Sequence, residues 1–219
     1  MKSFAVIGLG RFGTSLSTTL YEMGHEVLCI DENPDHIKAI EGNVTHAIQA
    51  DASDPAVLSE LGIRNFDTVV VSIGAELETA ILITLLCKEQ GCRCIVAKAA
   101  TELHAKILSK IGADKVVLPE KAMGVRVAHS LAASNVLDFT ELAPGYSMAE
   151  IDCPEAWQNK TLMQLNLRSR FGITVIAIRH GRDMIASPCA DDLVQAGDVL
   201  IVVGKNDRLT KLESKHLQD

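Results

Sequence analysis

Three glycines stand as G-x-G-x-x-G in the run Phe4-Ala5-Val6-Ile7-Gly8-Leu9-Gly10-Arg11-Phe12-Gly13. Gly8 allows a tight turn, Gly10 lets a backbone approach a pyrophosphate, and Gly13 lets a helix pack on a strand. The free N–H groups and dipole at the start of a following helix favour a phosphate. Arg11 and Phe12 fill the two variable places of the loop. A cation there opposes the helix dipole by up to about 1 kcal/mol unless an anion is present. Arg11 therefore points to a ligand ending in a chain of phosphates, which a guanidinium fork can grip in its own subunit or across to a neighbour. Asp31 follows Gly13 by 18 residues. That is where a dinucleotide fold places the carboxylate that holds ribose hydroxyls, and a carboxylate there disfavours a 2′-phosphate, hence NADP. Asn33 follows it before Pro34.

These residues need a scaffold, and the chain supplies one. Apolar runs recur at Phe4–Ile7, Val27–Ile30, His46–Ile48, Val69–Val71, Cys94–Ala97 and Val116–Leu118, with helical patterns between them. Pro34 and Pro55 open the second and third helices, while Gly91 and Gly112 close the fourth and fifth. Six short apolar strands alternating with helices predict an α/β domain with a doubly wound, Rossmann-type parallel sheet. Ligands bind outside the carboxyl ends of such strands. Asp51 and Ala52 after the third strand, Ile73 and Gly74 after the fourth, and Lys98 after the fifth are therefore placed at the same edge. Asp51 and Ala52 are candidates for an adenine edge, although Asp51 or Ser53 equally suits a cap for the helix at Pro55. The fourth helix, with Ala80-Ile81-Leu82-Ile83 and Leu85-Leu86, is apolar nearly all round. Such a helix is buried on more than one side, which predicts a second subunit against it.

After Leu118-Pro119 the pattern changes. Glu120 to about Ala133 reads as a helix with Val125, Val127, Ala128 and Leu131 as its apolar positions, and 135–145 reads as a connector. From Tyr146 the chain turns β-rich. His180-Gly181-Arg182-Asp183 signals a hairpin between Ile173–Ile178 and Met184–Ala186, and a polar helical tail starts near Asn206. The expected organisation is a nucleotide-binding domain over 1–119, a linking helix and connector over 120–145, and a small α+β domain over 146–219.

Bulk properties narrow the function. The 219 residues are 47% hydrophobic, with a formal net charge of −7 and a pI of about 5.5. Such a chain builds a core and lacks the basic face of a nucleic-acid binder. No signal peptide fits before the first strand, and no apolar stretch approaches the roughly 20 residues of a membrane span. The expectation is a cytoplasmic protein that meets a membrane through a partner. The six cysteines hold no C-x-x-C pair and the seven histidines no H-x-x-x-H, so reduced structural thiols and no structural metal site are expected. Beyond the glycine cradle there is no Tyr-x-x-x-Lys and no nucleophile with its base. His104, His129 and His180 have no evident carboxylate partner in sequence. The nucleotide is read as a signal and is not consumed, so no enzyme is expected. An NAD-dependent oxidoreductase is the competing class.

The glycine run, Gly24-His25-Glu26-Val27-Leu28, Leu61-Gly62-Ile63-Arg64-Asn65-Phe66-Asp67, Lys110-Ile111-Gly112-Ala113-Asp114 and Leu118-Pro119-Glu120-Lys121-Ala122-Met123-Gly124 together resemble the bacterial RCK family. Within it the chain looks like the cytosolic regulatory subunits of Ktr-type potassium-uptake systems. The segments Asn159-Lys160-Thr161-Leu162 and Leu167-Arg168-Ser169-Arg170-Phe171-Gly172-Ile173 are similar to the small C-terminal domain of that family. The resemblance implies dimers assembled into an octameric ring on a membrane potassium-transporting subunit, with ATP and ADP competing for the glycine site. It implies that Arg11 reaches the γ-phosphate of ATP in a neighbouring subunit and that Glu120 helps bind a divalent or monovalent cation. It also implies Arg168 as a contact for cyclic di-AMP. An NAD(H)-sensing RCK relative is the other alternative: it shares the fold and differs only in ligand preference, since Asp31 accepts the ribose of either nucleotide.

Overall fold

The computed structural model describes residues 1–74, 76–132, 136–209 and 212. The chain divides into two units, Met1–Lys121 and Ala122–Asp219. In the first, strands and helices alternate as β1 (Ser3–Ile7), α1 (Arg11–Glu22), β2 (Glu26–Asp31), α2 (Pro34–Ile40), β3 (His46–Gln49), α3 (Pro55–Glu60), β4 (Thr68–Val71), α4 (Leu77–Glu89), β5 (Ile95–Lys98), α5 (Glu102–Ile111) and β6 (Lys115–Val117). The six strands form one parallel sheet in the order β3-β2-β1-β4-β5-β6. The doubly wound fold is thus the one predicted, with small shifts at strand ends: β5 starts at Ile95 and leaves Cys94 outside it, and β6 ends at Val117 and leaves Leu118 outside it.

Successive residues of a strand point to opposite faces, and both faces are covered. Ala5, Ile7, Leu28, Ile30, Val69 and Val71 pack on one side with Leu58, Ile83 and Leu108. Val6, Val27, Cys29 and Val70 pack on the other with Ile40, Leu16 and Leu20. Helix starts follow the expected punctuation: Asn33 Oδ1 accepts from Asp35 N ahead of Pro34, and Thr101 caps α5. The cap at Pro55 is a correction. It is Asp54, whose carboxylate accepts from Ala56 N, and neither Asp51 nor Ser53.

The second unit takes over along α6 (Pro119–Ala132) and continues through β7 (Val136–Ala143), β8 (Tyr146–Asp152), β9 (Lys160–Thr161), α7 (Leu162–Leu165), α8 (Leu167–Phe171), β10 (Ile173–His180), β11 (Asp183–Ala186), β12 (Leu193–Val194), β13 (Asp198–Lys205) and α9 (Asn206–Leu209). Its antiparallel sheet runs β11-β10-β13-β8-β7, beside the short pair β12-β9. Ala149, Ile151, Trp157, Ile173, Ile178, Leu200 and Val202 form its core. His180 pairs with Asp183 around Gly181-Arg182, and Gly181 takes the left-handed φ of +58° that a two-residue hairpin turn demands.

One expectation fails here. The connector over 135–145 is, through Val136–Ala143, strand β7 paired antiparallel with β8. Pro144-Gly145 is a hairpin turn, not a linker. The helix expected over 120–133 is α6, and its apolar Val125, Val127 and Leu131 are exposed, Leu131 at 82%. Helix α4 shows the same property in part, since Ala80, Ile83 and Cys87 are buried while Leu82 and Leu85 are exposed. Most of the polar tail expected after Asn206, and the side chain of His129, lie outside the described residues. No helix among those described is long and apolar enough to cross a membrane.

The cysteines give a first test. Cys29, Cys87, Cys92 and Cys153 are buried, Cys94 is half-buried and Cys189 is exposed. Burial pushes the thiols of Cys29 and Cys153 up to about 11. Only thiolates react, so native protein at near-neutral pH is expected to label first and fastest at Cys189. Cys189→Ser should remove the fast phase seen with a chromogenic thiol reagent.

Candidate functional site

A cleft of about 920 Å³ lies in the first unit, at the carboxyl ends of the parallel strands. Gly8, Gly10, Arg11, Phe12, Asp31, Asn33, Asp51, Ala52, Ile73, Gly74, Lys98 and Glu120 all line it. Gly13 does not, and Arg168 lies in the other unit. Sequence reasoning missed Glu32, His36, Ser53, Ser72, Glu76, Glu78 and Thr79, which also line the cleft. Ser72 was within reach of a strand-end rule, being the first residue after β4. Glu76 and Thr79 carry no motif, and their side chains are tied to each other at 3.0 Å.

The three glycines separate by cause. Gly8 has φ +93° and donates its N–H to Ile30 O at 2.8 Å, while a β-carbon on it would meet Ile73 Cγ1 at 3.0 Å. Gly13 is buried under the loop, where a β-carbon would lie 2.0 Å from Gly8 O and 2.9 Å from Ser72 Oγ. It shapes the cleft from beneath and is not a contact residue. Gly10 is different: it has an ordinary φ of −64°, and a β-carbon there would meet nothing within 4 Å. Nothing in the chain's own packing requires glycine at this place, and the position lines the cleft.

Gly10 is also the N-cap of α1, which has no side-chain cap and no acidic residue in its first turn. The orphan N–H groups of that turn suit an anion. Arg11 sits there exposed. Ser72 Oγ, buried in the floor, has no hydrogen-bond partner among the described residues.

Asp31 ends β2 with its side chain only 10% exposed. Its Oδ2 accepts from Leu9 N at 2.5 Å, and its Oδ1 accepts from Asn33 N at 2.9 Å with His36 Nδ1 3.2 Å away. The carboxylate is thus aimed by backbone from the glycine loop and from the α2 start, with lone pairs left for further donors. Asp51 Oδ1 accepts from Ser53 Oγ at 2.6 Å and Ser53 N at 2.8 Å, which holds its carboxyl below the usual carboxylate range. Lys98 Nζ lies 2.7 Å from Glu120 Oε1 and 6.0 Å from the centre of the Phe12 ring. The bond from Lys98 holds the Glu120 carboxyl low. A depressed acid loses its partner only on protonation, so this pair persists at neutral pH and breaks as the pH falls below the ordinary glutamate range.

The residues present fit a nucleotide: an uncapped glycine turn open at Gly10, an oriented carboxylate at the end of β2, and an orphan hydroxyl in the floor. The histidines take other roles. The backbone N–H of His104 donates to the capping hydroxyl of Thr101 at 3.2 Å. His180, expected to have no carboxylate partner, has one: its Nδ1 lies 2.5 Å from Asp198 Oδ1, across the β10–β13 pairing in the second unit. Asp198 is buried and also accepts from Gln195 N at 2.8 Å. The pair was invisible in sequence because the partners are 18 residues apart and only the strand register brings them together. Among the described residues, no group of three or more His, Cys, Asp or Glu side chains is arranged to hold a metal.

Comparison with known families agrees with this architecture. Residues 4–119 match the TrkA-N domain and residues 148–216 the TrkA-C domain. The chain belongs to the family of RCK proteins built from these two domains. Among its members it is 42% identical over 216 residues to the Ktr system potassium uptake protein C of Bacillus subtilis, covering 99% of this chain and 98% of that protein. It is 42% identical to protein A of the same system in B. subtilis, covering 98% of this chain and 96% of that one. Against the protein A of Vibrio alginolyticus it is 38% identical, covering 97% of each. The fold is shared with solved structures of GsuK, including the channel bound to NAD (TM-score 0.69, 16% identity, all of this chain and 40% of that one). The isolated GsuK RCK domain gives a TM-score of 0.67 at 18% identity, covering 97% of this chain. This chain spans less than half of each GsuK chain.

Proposed function

We propose that this chain is the non-enzymatic, nucleotide-sensing regulatory subunit of a Ktr-type potassium uptake system, and that its cleft distinguishes ATP from ADP. The observation that carries the reading is the glycine loop. Gly10 is kept open for a ligand, the helix behind it is uncapped, and Arg11 projects exposed from a turn whose dipole opposes it unless an anion arrives. The potassium-uptake names of relatives at 38–42% identity over their whole lengths support the same conclusion. In this reading Asp31 holds the ribose, Asp51 and Ala52 face the base, and the phosphates lie on the loop. Arg11 extends to the terminal phosphate of a nucleotide in a neighbouring subunit. A second copy covers the exposed leucines of α4, and dimers join into a ring on the membrane subunit. Glu120 takes part in holding a cation beside the phosphates. In the second unit, Arg168 lines a groove of about 230 Å³ with Leu162, Asn166 and Ile173, the candidate place for cyclic di-AMP.

The ligand is tested with a thermal-shift panel of ATP, ADP, NAD and NADH on purified oligomer. ATP and ADP are expected to raise Tm more than either dinucleotide. Selective stabilisation by NADH, with turnover of a carbonyl substrate, would instead make the chain an oxidoreductase. Arg11→Ala is expected to retain ADP affinity within about two-fold while the ATP and ADP forms become alike in small-angle scattering. Two nucleotides bias a conformational equilibrium only through a differential contact, and this variant deletes it. Forms that still differ in Arg11→Ala would refute the bridge.

A further inference from the structure

The ion pair of Lys98 and Glu120 lines the cleft and bears on how the site works. Lys98 is the last residue of β5, and its side chain is only 14% exposed, whereas that of its partner Glu120 is 66% exposed. The lysine stem is fixed by packing. A β-carbon on Gly74 would sit 3.0 Å from Nζ and 3.2 Å from Cε, so glycine at 74 leaves the space the stem occupies. Its ammonium stands beside the Phe12 ring, hence beside the glycine loop. An ammonium has donors enough for two partners but only one unit of charge, so a carboxylate and a phosphate drawn to it repel each other. The same cation therefore faces the loop that suits phosphate and an exposed carboxylate that is readily rehydrated.

On the nucleotide reading above, we infer that Lys98 is a shared cation, contested between Glu120 and the phosphates of the nucleotide bound in the same subunit. Phosphate that captures Lys98 releases Glu120, and Glu120 that holds Lys98 lowers nucleotide affinity. Glu120 is the second residue of α6, so its release leaves an unpaired carboxylate in the first turn of that helix, where the dipole favours it.

The test is a double-mutant cycle on the full chain, with ADP titrated calorimetrically in the presence of EDTA. Glu120→Gln is expected to tighten ADP roughly two- to five-fold, the range that breaking a partly exposed ion pair allows. Lys98→Gln is expected to weaken ADP about ten-fold. The double variant should match Lys98→Gln, because Glu120 acts only through the lysine. If Glu120→Gln tightened ADP equally in the Lys98→Gln background, the effect would be plain charge repulsion and the inference would be wrong. No tightening in Glu120→Gln would overturn it as well, while leaving the nucleotide reading intact. A wild-type chain that bound no adenine nucleotide would overturn both. Melting curves of the four proteins separate binding changes from misfolding, with Glu120→Gln expected within about 2 °C of wild type because Glu120 is exposed and the Lys98→Gln proteins somewhat lower because that stem is packed.

Discussion

Gly10→Ala is expected to weaken nucleotide binding strongly without touching the fold, and Gly13→Ala to damage the fold itself. A β-carbon at position 10 has open space on every side and an ordinary φ. The small loss of helix-cap preference for alanine is offset by the lower entropy of its unfolded chain, so Tm should stay within about 2 °C. The methyl stands where a phosphate must meet backbone N–H groups, and ADP affinity should fall at least about ten-fold. A β-carbon at position 13 would lie 2.0 Å from Gly8 O, which no rotamer relieves because both atoms are backbone. Overpacking of that kind costs about 3 kcal/mol or more, a drop in Tm on the order of 10 °C for a unit of this size. Calorimetric titration beside differential scanning fluorimetry checks both. Gly10→Ala that bound ADP like wild type would remove the loop as the cradle.

The other large effect belongs to Asp31. Asp31→Ala leaves Leu9 N, on a buried residue, and Asn33 N without their acceptor. An orphaned buried donor costs about 1–3 kcal/mol, so Tm should fall by about 5–10 °C. The ribose contact goes with it. Wild type should bind ADP at least about ten-fold more tightly than 2′-deoxy-ADP, and Asp31→Ala should bind the two alike. Asp31→Asn, which keeps the shape and one acceptor, should fall between in both measurements. If wild type bound 2′-deoxy-ADP as well as ADP, Asp31 would be an aligner of the glycine loop and not a reader of ribose.

The first unit was legible because its strands are buried on both faces and so read as unbroken apolar runs, while Gly, Pro and Asn punctuate the helices. The glycine fingerprint, the strand-end rule and the family resemblance together account for twelve of the lining residues, while Glu32, His36, Ser53, Ser72, Glu76, Glu78 and Thr79 escaped them. What escaped depended on partners distant in sequence. Asp138, Thr140 and Glu141 interrupt β7, and only pairing with β8 makes that stretch a strand. Asp54 caps α3 while Asp51, three residues earlier, binds Ser53, a choice between neighbouring carboxylates that composition cannot decide. Glu120 and Lys98 are 22 residues apart and meet only because the start of α6 lies at the end of β5. The exposed Val125, Val127 and Leu131 show the limit of periodicity. It identifies an apolar stripe, and the covering surface has to come from elsewhere.

The order of strands in the second sheet has a consequence for how this chain is made. β13 lies between β10 and β8 at the middle of that sheet, yet it is the last of the described strands to be synthesised. Until Asp198–Lys205 is available, β8 can pair only with β7, and β10 only with β11. The growing chain therefore carries two separate hairpins with a central groove between them, and closing that groove joins segments more than forty residues apart. Such long-range pairing is slow to form and leaves strand edges open in the interim. The first unit, whose central β1 finds β2 and β4 early, can complete its sheet during translation. The second must wait for nearly the whole chain, and a ribosome that stalls before residue 198 releases a folded first unit attached to two unpaired hairpins.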